Sequence, residues 1–266
     1  MKGRVLIIAG SDSGGGAGIQ ADIKAVTALG AYAATAITAL TVQDTKGVYA
    51  VHDVPTEFIR HQITVVLNDI GADAIKIGMI GSRAAGEAIL EALVPWPDIP
   101  VVLDPVLVAT SGDRLGDDEV AALLMGEFAK RAHVVTPNLP ELEALSGLPV
   151  ATEFEREEAA RRFIDAGAQH VLVKGGHDND PQITDLLVSA TEAQRFSKPR
   201  IETTNTHGTG CTLASALAAG VAQGLPLEKA VGRAIDFVHD AIGAAPGLGG
   251  GHGPLNHAVW SGAKVN

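Results

Sequence analysis

The chain is 266 residues long, 46% hydrophobic and 19% charged, which fits one globular domain over 1–266 with a substantial core. A formal net charge of -11 without a cluster of Lys and Arg argues against a nucleic-acid partner, because phosphate backbones are held by such clusters. One cysteine excludes an internal disulfide, no apolar run approaches the roughly 20 residues needed to cross a bilayer, and the first apolar run breaks at Gly10-Ser11-Asp12. A cytoplasmic protein with no membrane partner is expected.

Aliphatic runs alternate with amphipathic segments along the chain. Strands are predicted at "RVLIIAG", "AATAITALT", "DAIKIG", "PVVLDPV", "HVVTPN" and "HVLVKGG". Between them lie helical segments such as 56–70, where Ile59, Ile63, Val66, Leu67 and Ile70 share one face. Strands this continuously apolar are buried on both sides, and their alternation with helices predicts βαβ crossovers and a mostly parallel sheet. Residues 183–202 read as two strands joined by a turn, an antiparallel edge, and helices are expected over roughly 209–222 and 227–243. The Gly-rich "PGLGGGHGP" reads as a loop.

Ligands of open parallel sheets bind beyond the carboxyl ends of the strands, so the segments there are the candidates for a site. They are "GSDSGGGAG", "TVQDT", "GMIGS", "DPVLVATSG", "TPNLPELE" and "KGGHDND", and they contain Asp104, Glu141 and Lys174. The first opens a helix but lacks Gly-x-Gly-x-x-Gly, since Ile19 stands three beyond Gly16, and no Gly-Lys pair exists for a Walker A loop. Its glycines suit either close backbone approach to a small substrate, fixed by Asp22 in the helix that follows, or a tight strand-to-helix turn. The segment "HGTGC" is more specific. Gly208 and Gly210 allow unusual backbone angles where a helix starts, and the first N–H groups of a helix have no intrahelical partner. Such a terminus attracts anions, and a thiol among those N–H groups is expected to be acidified. The competing reading makes Cys211 a small core residue.

Taken together, "AGSDSGGGAGIQADIK", "TALTVQDTKGV", "IKIGMIGS", "DPVLVATSG", "TPNLPE", "VKGGH", "NTHGTGCT" and "GHGPLNH" resemble the ribokinase-like small-molecule kinases. Within them, the chain is similar to the hydroxymethylpyrimidine/phosphomethylpyrimidine kinases of thiamin biosynthesis. The resemblance implies a ribokinase-like α/β fold of three layers, α/β/α, with a mostly parallel central sheet and an antiparallel edge. It implies phosphorylation of 4-amino-5-hydroxymethyl-2-methylpyrimidine by ATP with Mg²⁺, then a second phosphorylation of the monophosphate, by an enzyme that is commonly a homodimer.

Carried onto this sequence, the resemblance makes Gly208, Thr209 and Gly210 the anion hole and Cys211 the residue that takes the substrate's hydroxyl proton. Phosphoryl transfer needs positioning and charge stabilisation, which a metal, a cation and N–H donors supply. Asp104 and Glu141 would hold Mg²⁺ directly or through its waters, and Asn138 and Lys174 would contact nucleotide phosphates. A carboxamide at Gln43 matches a ring nitrogen beside an exocyclic amine, with Gly10, Val42, Met79 and Val106 as apolar walls. Two positions depart from the family pattern: Leu107 and Thr110 stand where Met and Lys are usual, and the second removes a cation. The alternatives are a pyridoxal kinase sharing Gly-Thr-Gly-Cys and a catalytically dead ligand sensor. The intact set Asp104, Glu141, Lys174 and Cys211 argues against the second.

Overall fold

The computed structural model describes residues 1–107, 112, 115–176 and 180–260. β1 (Arg4–Asp12) leads through α1 (Gly18–Ala28) to β2 (Tyr32–Gln43), which folds back on β3 (Val48–Asp53). α2 (Thr56–Asp69), β4 (Ala74–Ile77), α3 (Arg83–Leu93) and β5 (Val101–Leu103) follow. α4 (Asp118–Leu123), a π-helical turn (Leu124–Phe128) and α5 (Ala129–Arg131) then lead to β6 (Val134–Val135). After these come α6 (Leu139–Ser146), α7 (Glu153–Asp165), β7 (His170–Val173), the hairpin of β8 (Gln182–Val188) and β9 (Ala193–Pro199), α8 (Thr209–Ala222) and α9 (Leu227–Gly243).

One nine-stranded sheet in the order β3-β2-β1-β4-β5-β6-β7-β8-β9 runs through these elements. The block from β2 to β7 is parallel, and both edges are antiparallel: β3 on one side, β8 and β9 on the other. Side chains alternate across it. Leu6, Ile8, Ile75, Ile77, Leu103 and Val135 face the core shared with α2, α3, α6 and α7, while Val5, Ile7, Val102, Val134 and Leu172 face α1, α8 and α9. This is the expected three-layer α/β/α arrangement. The α2 face is also as expected, with Ile59, Ile63 and Leu67 buried and Val66 and Ile70 half-buried.

The antiparallel edge at β8–β9 matches the reading of 183–202, but β3 at the opposite edge carried no periodic signal. Its six residues have no buried face, so an apolar alternation is not required of them. β1 and β2 also run beyond their apolar runs, to Asp12 and Gln43, after a register shift between Ala9 and Ser11. β1 pairs with β2 on one side and β4 on the other, so the connections change direction there and open a crevice at their carboxyl ends. α8 crosses behind that crevice, its Ala-rich sequence allowing close approach: a Cβ at Gly220 would lie 2.7 Å from Ala230 Cβ on α9.

Candidate active site

Beyond the strand ends lies a cavity of about 1030 Å³, large enough for two small molecules side by side. Its walls include Gly10, Gln43, Met79 and Val106 at one end, and Asn138, Glu141 and Lys174 towards the other. Asp104 and the turn Gly208–Cys211 also border it.

The turn is built by the sequence in an explicit way. Gly208 adopts a left-handed φ of 80° as the N-cap of α8, and no side chain caps that terminus. The 14-residue helix therefore points its first N–H groups and the positive end of its dipole into the cavity. The Gly-rich segment after β1 does not do the same. Asp12, 1% exposed, folds its carboxylate back into that loop: Oδ1 accepts from Gly14 N at 2.7 Å, and Oδ2 accepts from Gly16 N at 2.9 Å and Ala17 N at 2.7 Å. His207 Nε2 lies 2.9 Å from the same Oδ2. The loop's donors are spent on an internal anion, and the loop braces the residue before Gly208. Of its two sequence readings, the tight turn is the one the hydrogen bonds describe.

Asp104 follows β5 and Lys174 follows β7, one strand apart in the sheet from β6. Lys174 Nζ donates to Asp104 Oδ1 at 2.8 Å and lies 3.7 Å from Glu141 Oε2, and Thr136 Oγ1 donates to Asp104 Oδ1 at 3.1 Å. Burial would raise the Asp104 carboxyl, but the ammonium groups of Lys174 and Lys76 outweigh it and hold it below the usual range. Burial pushes Glu141 up to about 7 against the pull of Lys174, with Asp104 adding to the rise. Asn138 and Glu141 form a capping box on α6: Asn138 Oδ1 accepts from Glu141 N and Glu141 Oε2 from Asn138 N, both at 2.8 Å. Both residues thus hold a helix terminus as well as facing the cavity.

At the other end, Gln43 Nε2 donates to Thr41 Oγ1 at 2.6 Å, which leaves its carbonyl oxygen and one amide hydrogen for a ligand. Thr38 Oγ1 donates to Met79 O at 2.7 Å and fixes the strand end that carries the Met79 side chain.

Three expectations need correction. Val42 is not a wall of the cavity: β2 alternates, Thr41 and Gln43 face the cavity, and Val42 between them is 59% exposed on the opposite side. Asp22 does not line it either; its fully buried carboxylate accepts from Lys76 Nζ at 2.8 Å and from Ser215 Oγ at 2.7 Å beneath the cavity floor. The Cys211 thiol is not acidified. Burial pushes it up to about 12, with Asp22 and Asp104 adding to the rise, while Lys76 and a backbone hydrogen bond from Gly18 oppose it. A helix terminus is legible in a sequence, whereas the burial that raises the thiol is not. Sequence reasoning also passed over Lys76, Thr41 and His207, all on the cavity wall. A polar residue inside an apolar strand was the available signal for Lys76. Of the two departures from the family pattern, Leu107 is on the wall and Thr110 lies outside the described residues.

A three-layer fold with a strand-end cavity, an uncapped helix terminus and an adjacent lysine–carboxylate group defines a ribokinase-like small-molecule kinase. Residues 12–256 match the phosphomethylpyrimidine kinase family, and the chain belongs to it and is a kinase. It is 42% identical over 264 residues to a hydroxymethylpyrimidine/phosphomethylpyrimidine kinase of Bacillus subtilis, covering 99% of this chain and 97% of that one. It is 47% identical over 258 residues to a thiamine biosynthesis bifunctional protein of Geobacter sulfurreducens, covering 97% of this chain but 53% of that protein, so the chain spans about half of that relative. Among solved structures, Bacillus subtilis pyridoxal kinase in complex with ADP superposes with a TM-score of 0.89 at 33% identity, over 97% of this chain and 98% of that one.

Proposed function

We propose that the chain phosphorylates hydroxymethylpyrimidine and then its monophosphate in thiamine biosynthesis, with ATP as donor, in the cavity at the N-terminus of α8. The observation that carries the reading is the shared opening of that uncapped terminus and of Lys174, Asp104 and Glu141 into one cavity whose far end holds Gln43 and Met79. The ADP bound by the pyridoxal kinase supports a nucleotide co-substrate for this chain, which we place in the Asn138–Lys174 half of the cavity. The backbone N–H groups of Gly208–Cys211 receive the transferring phosphoryl oxygens, and Lys174 balances their charge. The acceptor hydroxyl is placed against Cys211, with the aminopyrimidine ring on Met79 and its amine and ring nitrogen on the Gln43 carboxamide.

Asp104 and Glu141 fit a magnesium ion. Both carboxylates border the cavity and lie within 4 Å of Lys174 Nζ, and magnesium typically keeps several waters and is held by one or two carboxylates plus substrate phosphates. Bound there, magnesium would offset the charge on the transferring phosphoryl group.

A thiol at about 12 is protonated at neutral pH, so it can take the hydroxyl's proton only from its small thiolate fraction. Turnover limited by that fraction rises with pH by about tenfold per unit through the neutral range. The monophosphate brings an oxygen that is already ionised, so its phosphorylation depends less on Cys211.

Two further readings belong with this one. A homodimer through β2–β3 is supported by Leu40, Val42, Tyr49 and Val51, which are 46–64% exposed on that ribbon. A reducing, cytoplasmic location is supported by the single unpaired thiol at the site.

The test is to follow products by phosphorus NMR with ATP, Mg²⁺ and either hydroxymethylpyrimidine or pyridoxal. The parent should make the mono- and then the diphosphate of the pyrimidine, and Cys211→Ala should lose about 10² to 10⁴ of the first step together with its pH dependence. A parent that prefers pyridoxal sinks the substrate, and a Cys211→Ala variant with normal turnover sinks the proton acceptor. Sedimentation of the parent at the mass of one chain would sink the dimer.

A further inference from the structure

β4 turns Ile75 and Ile77 to one core and Lys76 to the other. On the sheet, Lys76 pairs in register with Ile7 on one side and Val102 on the other, and Val102 pairs with Val134. Those three neighbours are wholly buried in the core beneath α1 and α8. Lys76 is therefore a lysine in an apolar row, and its side chain is 0% exposed. Its ammonium donates to Asp22 Oδ2 at 2.8 Å, and the other Asp22 oxygen accepts from Ser215 Oγ on α8 at 2.7 Å.

Stability does not account for this arrangement. An ion pair taken out of water costs several kcal/mol per charge, and an apolar pair of similar volume is often neutral or stabilising in its place. What the arrangement does achieve is position. α1 and α8 are tied through Asp22 to the strand beside β1, and a fixed positive charge borders the same cavity as the anion turn.

We propose that Lys76 is a positioning residue for phosphoryl transfer: its ammonium, held by the Asp22 carboxylate that also ties Ser215 of α8 and bordering the same cavity as Cys211, supports negative charge at Cys211. The proposal deepens the reading above and rests on Cys211 standing beside the reacting hydroxyl. Charged groups face the thiol from several elements: Lys76 on β4, Asp22 on α1, Asp104 after β5 and Lys174 after β7, with the Gly18 N–H at the start of α1. Lys76 exerts the largest of the effects that oppose burial, and Asp22 acts in the contrary sense. Removing one or the other should move the thiol in opposite directions. A purely structural role would loosen the packing and expose the thiol in both cases.

The chain has one cysteine, so iodoacetamide reports on Cys211 alone. Alkylation is followed in the full-length protein over about pH 8 to 10, where its rate tracks the thiolate fraction. For each pKa unit of rise that fraction falls tenfold and nucleophilicity regains part, a net slowing of about threefold. Lys76→Met should be alkylated at least about threefold more slowly than the parent, and Asp22→Asn faster by a similar factor. In parallel, Lys76→Met should lower kcat for the pyrimidine alcohol and leave KM for ATP unchanged. If Lys76→Met does not fold, Asp22→Asn/Lys76→Met, which has no buried charge in this pair, must react more slowly than Asp22→Asn alone. Equal rates in all proteins, or faster alkylation in both single variants, would overturn the role of Lys76. A fully active Cys211→Ala would instead remove the reading on which it rests, whatever the alkylation rates.

Discussion

Replacing Gly208 with alanine puts the anion turn under the most direct strain the structure allows. The residue sits at φ 80°, where a side chain costs about 1–2 kcal/mol. The added Cβ would also fall 1.9 Å from Gly16 O, 2.8 Å from Gly16 C and 3.0 Å from Ala17 Cα. These are backbone atoms that cannot swing aside, because Gly16 N and Ala17 N are held by Asp12 Oδ2 and the same oxygen meets His207 next to the turn. Strain of that kind adds roughly 1–3 kcal/mol. At about 2–4 °C per kcal/mol for a chain of this size, Gly208→Ala should melt roughly 5–15 °C below the parent. Displaced donors should cost about 10² to 10³ in kcat, read in a coupled assay for ADP release. Gly210→Ala is the control: its Cβ would meet Lys174 Nζ at 3.1 Å and Asp104 Oδ2 at 3.9 Å, the ends of side chains, and its φ is not positive. It should lose turnover while melting close to the parent. A Gly208→Ala protein with parental melting and turnover would refute both the packing argument and the turn's part in transfer.

Two further changes probe the carboxylate group and the buried histidine. Glu141→Gln keeps a capping-box acceptor on α6 and so should preserve stability while raising the Mg²⁺ concentration for half-maximal activity; Glu141→Ala should in addition lose about 0.5–2 kcal/mol in denaturant melts. An unchanged Mg²⁺ requirement in Glu141→Gln would remove that residue from the metal site. His257, 6% exposed with Nε2 2.9 Å from Thr212 Oγ1, is pushed down to about 4 by burial, with Lys24 adding to the fall. The unfolded chain then binds the extra proton first, so this contribution is whole above about pH 6.5 and is lost as pH falls towards 4, at most about 3 kcal/mol. Urea melts across that window should show a shallower acid loss in His257→Gln, and an identical slope would contradict the burial argument.

Much of the site was legible because chemistry at the ends of parallel strands declares itself. Asp104 and Lys174 follow buried strands directly, and Asn138 and Glu141 stand in the turn and helix just after β6. α9 carries a helix-period apolar face, whereas α8 is buried all round from Thr212 to Gly220 and was legible from its Ala-rich run after Gly208 and Gly210. What stayed hidden depends on phase and on depth. Whether Val42 or its neighbours Thr41 and Gln43 face the cavity is a matter of one residue in strand phase, and nothing in "TALTVQ" fixes it. Asp22 is one helical turn from the cavity, but its partner Lys76 lies 54 residues away, and that pairing exists only once β4 is laid beside β1. β3 was invisible because an exposed ribbon needs no apolar face.

The two Gly-rich segments illustrate how similar sequences acquire different electrostatics. Both present backbone N–H groups at the start of a helix, and either could in principle take a phosphate. The chain supplies the first with its own anion, Asp12, whose carboxylate accepts three of its N–H groups. It leaves the second without a side-chain cap and sets Lys174 beside it and Lys76 on the same cavity wall. Both cations are held by carboxylates, Lys76 by Asp22 and Lys174 by Asp104, so in a protein with a net charge of -11 the potential at this terminus is set by these local pairs and the helix dipole, whatever the global balance. Of the two loops, only the one after His207 keeps donors and positive charge together. On the proposed function, an incoming phosphoryl group would meet the Gly208–Cys211 turn directly beside Lys174 and Asp104, since a Cβ at Gly210 would lie 3.1 Å from Lys174 Nζ and 3.9 Å from Asp104 Oδ2.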